Sequence, residues 1–286
     1  MKQFMFVVVL YEMSMLESAT LRSLSEQSAL MSDRRMRVVV IDNTPGKKPG
    51  ALTIDSITGY ISTGENLGLA NAYQLAFQMA KADEFRFLVL LDQDSEVDSS
   101  FIAALDVVAR EHAASVGIWC PDIVSSGRRI SPYSSNVFGW PNYSPSHNSR
   151  RLFGISSFSV VNIRFIDAIG GFDQFYWLDC LDSWLYEKAH QHSWAVMRLH
   201  ITVKHDLSLV SGKISLARMK NIAFYESCFV IEYGPIGRVA GTILRLALRG
   251  LKRWRTVGGV RNYGSYLREI WKGIRVGLQR KENGAA

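Results

Sequence analysis

The chain has 286 residues, of which 48% are hydrophobic and 21% charged, and this composition excludes a largely disordered protein. Its length predicts one large α/β domain, alone or with a small appendage. The three cysteines are widely spaced and form no CxxC pair, which excludes a zinc ribbon or a disulfide framework and favours a reducing cytosol.

The first two-thirds of the chain alternates between strand-like and helix-like segments. Continuous apolar runs at residues 4–10, 37–41 and 87–91 are typical of strands that are buried on both faces. A weaker strand at 57–61 and helices at 13–28 and 67–82 separate them, so the order is β-α-β-(β)-α-β. This order predicts an α/β fold with a mostly parallel sheet and helices on both faces. Beyond it we predict helices at 101–112, 164–169 and 182–192, strands at 116–124, 155–161 and 194–202, and a long loop at 125–151 with one short hairpin.

Polar residues follow three of the predicted strands. Tyr11-Glu12 follows the first, Asp42-Asn43 the second, and Asp92-Gln93-Asp94 the strand at 87–91. Ligands of parallel sheets bind beyond the carboxyl ends of the strands. Two carboxylates at positions i and i+2 can face one cation, and Mg²⁺ typically combines one or two carboxylates with substrate phosphates. The alternative is that these residues form ordinary polar turns.

Three further features are candidates for chemistry. Asn66 suits a helix N-cap, and Gly68 leaves room for a ligand to approach the backbone. No GxGxxG or P-loop motif occurs, which argues against NAD binding and ATP hydrolysis. Asp182 begins a helix beside aromatic residues, and it is either a poised general base or a simple cap. His205 is either a ligand of metal or phosphate or an ordinary histidine.

Taken together and in this order, these segments resemble the inverting family 2 glycosyltransferases with the GT-A fold, and more narrowly their bacterial rhamnosyltransferase branch. Leu-Asp-Gln-Asp-Ser at 91–95 is the element that most suggests rhamnosyl transfer. The other segments that carry the resemblance lie at residues 38–43, 65–72, 170–173 and 177–184.

The resemblance implies a role for each candidate residue. Asp182 corresponds to the general base that deprotonates the acceptor hydroxyl. Asp94 and His205 correspond to ligands of a Mg²⁺ or Mn²⁺ ion that bridges the donor diphosphate. The residues on the donor side are Tyr11, Asp42, Asn66, Gly68 and Asp92.

The resemblance also implies a reaction, the transfer of L-rhamnose from dTDP-L-rhamnose to a lipid-linked acceptor of the O-antigen type. Two alternatives stay open. One is the same fold with another donor, such as UDP-galactofuranose, UDP-glucose or UDP-N-acetylglucosamine. The other is a catalytically silent scaffold that binds sugar nucleotides. We expect the glycosyltransferase domain to span residues 1–232.

Residues 233–286 are expected to form a basic amphipathic helical region. Residues 237–286 hold 12 Lys and Arg against 2 Asp and Glu, whereas the rest of the chain holds 21 against 24. Basic helices that also carry Trp and Leu suit an anionic membrane surface, although a solvated face packed on the domain is the alternative. No nucleic-acid motif accompanies the charge, so we expect no nucleic-acid partner. No apolar run is long enough to span a bilayer, so we predict a cytoplasmic protein bound peripherally to the inner face of the membrane.

Overall fold

A computed structural model describes residues 3–33, 36–47, 57–110, 115–135, 141–143, 151–204, 215–252 and 260–284. Within these residues, eight strands form one mixed sheet in the order β10-β5-β9-β4-β1-β2-β3, with β6 paired to β5. These strands are β1 (Phe4–Leu10), β2 (Arg37–Asp42), β3 (Ile57–Ser62), β4 (Phe87–Asp92), β5 (Val116–Ser125), β6 (Arg128–Ser131), β9 (Val160–Asn162) and β10 (Ala195–Lys204). A separate pair consists of β7 (Ser134–Ser135) and β8 (Pro141–Asn142), which is the short hairpin expected in this region.

Nine helices lie in the described part of the chain. They are α1 (Ala19–Glu26), α2 (Ser28–Asp33), α3 (Gly68–Ala82), α4 (Ser99–Arg110), α5 (Ile163–Ala168), α6 (Leu181–Gln191), α7 (Leu216–Tyr233), α8 (Ile236–Lys252) and α9 (Val260–Glu282). Asp98 caps α4, because its carboxylate accepts a hydrogen bond from the Phe101 amide at 2.9 Å.

The sheet is covered by helices on both faces. Every residue of β1 is buried, and its alternate side chains Phe4, Phe6, Val8 and Leu10 pack with α1 and α4 in one apolar cluster. Helix α3 contacts β1 and β4 through side chains that lie outside this cluster. Strands β1, β2, β3 and β4 run parallel, and β5 and β10 are parallel to each other, whereas β9 is antiparallel to β4 and β5. The prediction of a mostly parallel α/β sheet is therefore confirmed.

Two predicted elements differ from the structure. The helix predicted at 13–28 begins only at Ala19, because the Ser18 hydroxyl caps α1 by accepting from the Leu21 amide. The strand predicted at 155–161 is reduced to Val160–Asn162. A turn at residues 156–159 precedes it, in which Phe158 has a φ of 63° and the Ser159 amide donates to the Ser156 carbonyl.

The chain divides into two compact units. One comprises residues 1–132 and 148–206 and contains the large sheet. The other comprises residues 133–147 and 207–286 and contains α7, α8 and α9, which share a small core of Met219, Ala223, Leu246, Tyr266 and Ile270. In the described part of the chain, no helix is both long enough and apolar enough to cross a membrane. The domain boundary predicted at residue 232 stays a prediction.

Candidate active site

The carboxyl ends of β1, β2 and β4 meet at one edge of the sheet. Leu10 is in register with Asp42, and Val9 is in register with Asp92. The Tyr11 amide donates to Oε1 of Gln93 at 2.8 Å, although the Tyr11 side chain itself is largely exposed. The three strand ends thus bring Tyr11, Asp42 and Asp92 to the same edge, as their sequence positions predicted.

The Asp42 carboxylate is buried and held at both oxygens. Oδ1 accepts from the Thr44 amide at 2.9 Å, which is the polar turn that the sequence left open, and Oδ2 accepts from the Tyr60 hydroxyl at 2.7 Å. Burial and the neighbouring carboxylate raise the pKa of Tyr60 well above its ordinary value, so its hydroxyl stays a donor. Asp42 is therefore fixed in orientation before any ligand binds.

The start of α3 is packed tightly against Trp177. Gly68 has a φ of +74°, and a Cβ placed there would lie 2.3 Å from Nε1 of Trp177. Asn66 accepts from the Gly68 amide at 3.0 Å, while the cap position itself is Leu67. The space beside Gly68 that the sequence suggested for a ligand is occupied by an indole ring. Gly68 instead allows the segment before α6 to approach α3.

Hydroxyl groups hold the backbone of the loop that carries Asp92 and Asp94. Oγ1 of Thr20 donates to the Asp92 carbonyl at 2.5 Å and accepts from the Ser95 amide at 2.8 Å. The Ser18 hydroxyl donates to the Gln93 carbonyl at 2.7 Å. These bonds connect the first turn of α1 to the end of β4. The loop therefore has a fixed backbone that presents the carboxylate of Asp94 to solvent.

Asp182 lies in the first turn of α6, and its carboxyl group has a strongly raised pKa. Its pKa is raised from the ordinary value of 3.8 to about 6, chiefly because surrounding protein desolvates it and in smaller part because of the negative charge of Asp92. One opposing contact is the Ser183 amide, which donates to Oδ1 of Asp182 at 2.7 Å. Such a carboxylate is ionised at neutral pH and basic enough to accept a proton from a bound hydroxyl.

Two residues at this edge have no role assigned from the sequence. Tyr73 on α3 is fully buried, and the charges of both Asp92 and Asp182 help to raise the pKa of its hydroxyl. Asn43 is buried, donates to the Gly68 carbonyl at 3.1 Å, and leaves its Oδ1 atom without a hydrogen-bond partner. Tyr73 has the pattern of an ordinary core aromatic residue on a helix, so nothing in the sequence indicates a role for it. Asn43 directly follows Asp42, and this position at a strand end is the feature of the sequence that could have indicated its role.

The acidic residues at this edge include candidate ligands for a metal ion. Among the described residues, no three His, Cys, Asp or Glu side chains converge on one point. Asp92 and Asp94 supply the hard oxygen donors that Mg²⁺ and Mn²⁺ accept, and a bound diphosphate would complete such a coordination sphere. The donor chemistry therefore fits a cation shared with substrate. His205 lies outside the described residues.

Solved structures with a similar fold are glycosyltransferases. Mannosyltransferase PcManGT from Pyrobaculum calidifontis, in complex with GDP-Man and Mn²⁺, superposes with a TM-score of 0.56 at 13% identity over 98% of this chain and 86% of that one. S. aureus TarS gives 0.54 at 16% identity over 88% of this chain but only 43% of TarS, so this chain spans less than half of that protein. TarS residues 1–349 in complex with UDP-GlcNAc give 0.51 at 15% identity, covering 96% of this chain and 82% of that chain. At these identities the likeness shows the fold alone, which is the GT-A fold.

The family follows from the sequence. Residues 14–167 match the model of glycosyl transferase family 2, and this range is more than half of the chain. A search of curated protein sequences gives no match. The chain therefore belongs to glycosyl transferase family 2, as its motifs predicted.

Proposed function

We propose that this protein is an inverting, metal-dependent glycosyltransferase that transfers L-rhamnose from dTDP-L-rhamnose to a lipid-linked bacterial surface polysaccharide of the O-antigen type. The observation that carries the proposal is the raised pKa of Asp182. Its carboxyl group has a pKa of about 6, raised in part by the charge of Asp92, and the chain belongs to glycosyl transferase family 2. This is the electrostatic setting that a general base for a sugar hydroxyl requires.

The donor would lie along the ends of β1, β2 and β4. Asp42 would accept hydrogen bonds from the nucleoside, with Tyr11 and Asn66 bordering the same side. Asp92 and Asp94 would hold Mg²⁺ or Mn²⁺ against the diphosphate, with His205 as a further ligand. A bound cation would offset the negative charge that develops on the departing nucleoside diphosphate.

Asp182 would act on the opposite side of the sugar. Its carboxylate accepts the proton of the acceptor hydroxyl as that oxygen bonds to the anomeric carbon. The bond between this carbon and the diphosphate oxygen breaks in the same step. One in-line displacement inverts the configuration, so a β-L-rhamnosyl nucleotide yields an α-L-rhamnoside.

A second candidate keeps this chemistry and changes the sugar. The similar structures contain GDP-Man and UDP-GlcNAc, and no residue described here selects rhamnose over another hexose. Donors such as UDP-GlcNAc, UDP-glucose and UDP-galactofuranose therefore belong in any test. A silent scaffold that binds sugar nucleotides is the remaining alternative, and the placement of Asp182 beside Asp92 argues against it.

The test is ligand-dependent protection of the full chain against thermal unfolding. With Mn²⁺ or Mg²⁺ present, we expect protection by dTDP-L-rhamnose and dTDP, worth about 2.7 kcal/mol at a hundred times the dissociation constant. Asp94→Asn should remove the metal-dependent part of this protection. Glu96→Gln, which alters an exposed carboxylate two residues further on, is the matched control and should retain it. Asp182→Asn should keep donor protection and lose turnover.

Each other outcome points elsewhere. Protection confined to UDP or GDP sugars would keep the reaction and discard rhamnose. No protection by any nucleotide sugar, with metal present, would favour the silent scaffold. Turnover by Asp182→Asn at the rate of the unaltered protein would remove Asp182 from the role of base.

The acceptor side of the proposal rests on the basic C-terminal region. We propose that this region brings the protein to an anionic membrane surface, where a lipid-linked acceptor would be found. The protein would then be cytoplasmic and peripheral to the membrane.

A further inference from the structure

Helices α8 and α9 each carry an exposed apolar stripe. On α8, Leu244, Leu248 and Leu251 are 59%, 50% and 47% exposed, and their spacing of four and three residues puts them on one face. On α9, Leu267, Trp271 and Leu278 recur at intervals of four and seven residues and are also exposed, with Trp271 at 61%. Large apolar side chains that are exposed along one face of a helix are typical of a surface that meets a partner.

These stripes are not the faces through which the helices pack together. The packed faces contain Leu246, Tyr266 and Ile270, which are buried, and the Tyr266 hydroxyl donates to the Leu246 carbonyl at 3.0 Å. On α9, Gly273 and Gly277 approach the backbone of α7. The helical unit therefore satisfies its own core and still exposes both stripes.

Among the described residues, basic side chains of this unit occur in two different settings. Arg245 and Arg249 pair with Glu226, and Arg280 pairs with the buried Glu232, so the charges of these arginines are offset within the helical unit. Lys252, Arg268 and Arg275 are exposed instead. Arg268 adjoins Leu267 in sequence, and Arg275 lies one helical turn after Trp271. These three exposed cations therefore lie on the same helices as the apolar stripes and close to them in sequence.

We propose that Leu244, Leu248, Leu251, Leu267, Trp271 and Leu278, with Lys252, Arg268 and Arg275, form a docking face for an anionic lipid bilayer. The leucines and the tryptophan would enter the boundary between headgroups and acyl chains, while the cations contact anionic headgroups. This inference names the surface through which the proposed function meets its membrane, and it rests on that function only for the location of the acceptor.

Charge and chemistry favour lipid over the other occupants of such a face. A symmetric contact between two copies would place the cations Arg268, Arg275 and Lys252 of one copy against the same basic face of the other, which repulsion between like charges opposes. A nucleic acid would leave three leucines of α8 against a polar backbone. An anionic bilayer satisfies both the cations and the apolar side chains.

Vesicle co-sedimentation of the full chain tests the proposal. We expect binding to phosphatidylcholine vesicles that contain phosphatidylglycerol, weak binding to phosphatidylcholine alone, and a decrease in binding as salt rises. Leu248→Ser combined with Trp271→Ser, and separately Arg268→Glu combined with Arg275→Glu, should each weaken binding by about tenfold or more. All four positions are exposed, so the fold should survive both changes.

The matched control is Leu16→Ser combined with Val107→Ser. These residues are 64% and 51% exposed but belong to the sheet unit, so this variant should bind vesicles like the unaltered protein. Thermal protection by nucleotide sugars, measured on the same variants, separates the two proposals. Lost vesicle binding with retained donor protection supports the docking face, whereas failure of donor protection in the unaltered protein concerns the proposed function alone.

Three results would overturn the docking face. The first is the absence of binding to anionic vesicles, and the second is unchanged binding by both altered pairs. The third is a dimer, seen by sedimentation velocity, that the same substitutions dissociate while vesicle binding persists, which would give the face to a second copy.

Discussion

Two separate effects oppose ionisation of the Asp182 carboxyl group, namely its desolvation and the negative charge of Asp92. When the pH is below this pKa of about 6, the Asp182 carboxyl group carries a proton and cannot accept another. We therefore expect kcat/KM to fall tenfold per pH unit on the acid side of about pH 6. The measurement is kcat/KM against pH with the donor saturating and the acceptor varied. An acid limb near pH 4 would mean that the carboxylate titrates as an ordinary one.

The ionised carboxylate of Asp182, which the proposed reaction requires, should also lower the stability of the folded protein. Its folded pKa of about 6 lies above the ordinary value of 3.8, so the folded state binds the proton more tightly and the ionised form is destabilising at neutral pH. Asp182→Asn should therefore raise Tm at pH 7 to 8, and the gain should shrink as pH falls from 6 to 4, where Asp182 itself is neutral. A gain that stays constant across this window would assign it to packing instead.

At this scale, the sequence reveals the residues that act at strand ends and conceals those that support them. Asp42, Asp92 and Asp182 follow buried strands or open a helix, so residue type and position together identify them. Tyr60 lies within a strand and Tyr73 within an apolar helix face. Only tertiary structure brings the Tyr60 hydroxyl to Asp42 and sets the Tyr73 hydroxyl within the field of Asp92 and Asp182.

At the scale of elements, the hydrogen bonds of Thr20 that connect α1 to the end of β4 can be tested by substitution. Thr20→Val keeps the shape of the side chain but removes the hydroxyl that bonds both the Asp92 carbonyl and the Ser95 amide, at a position where Thr20 is fully buried. Loss of such buried partners costs about 1–3 kcal/mol each. We expect a drop in the free energy of unfolding of this order in urea titration, and weaker donor protection because the Asp94 loop loses a backbone constraint.

Thr58→Val is the control for this change. Thr58 also donates to a backbone carbonyl, that of Val38 at 2.9 Å, but its side chain is exposed on β3, so water can replace the bond. Its effect on stability should be within about 0.5 kcal/mol. Equal losses from Thr20→Val and Thr58→Val would mean that the Thr20 bonds do not stabilise the loop.

Most elements could be predicted because their hydrophobic periodicity matches their burial. The runs that form β1, β2 and β4 are apolar without interruption, and the structure buries them between two helical layers. The beginning of α1 could not be predicted, since residues 13–17 have a composition compatible with a helix. The Ser18 hydroxyl donates to the carbonyl of Gln93, which is 75 residues away in the sequence. This hydrogen bond helps to fix Ser18 as the cap of α1, and the local sequence pattern does not show it.

At the scale of the whole molecule, the two units have separate cores and different charge. The sheet unit buries its large apolar cluster around β1 and β4, whereas the helical unit depends on five buried side chains and on the close approach of α7 and α9. A Cβ at Gly273 would lie 2.3 Å from the Phe224 carbonyl oxygen, and one at Gly277 would lie 2.7 Å from that of Cys228. Backbone atoms cannot move away as the end of a flexible side chain can. The absence of a Cβ at these two glycines therefore permits the short distance between α7 and α9.

Gly273→Val should therefore disrupt the helical unit selectively. Overpacking of this kind typically costs about 1–3 kcal/mol, and a backbone obstacle places the change at or above the upper end. Hydrogen exchange should show faster exchange in α7 and α9, while β1 and β4 stay protected and nucleotide sugars still stabilise the sheet unit. Gly264→Ala, where a Cβ meets nothing within 4 Å, is the control and should be neutral or stabilising by about 0.5–1 kcal/mol. Faster exchange in β1 and β4 to the same degree as in α7 and α9 would mean that the two cores unfold together, and that the helical unit has no separate stability.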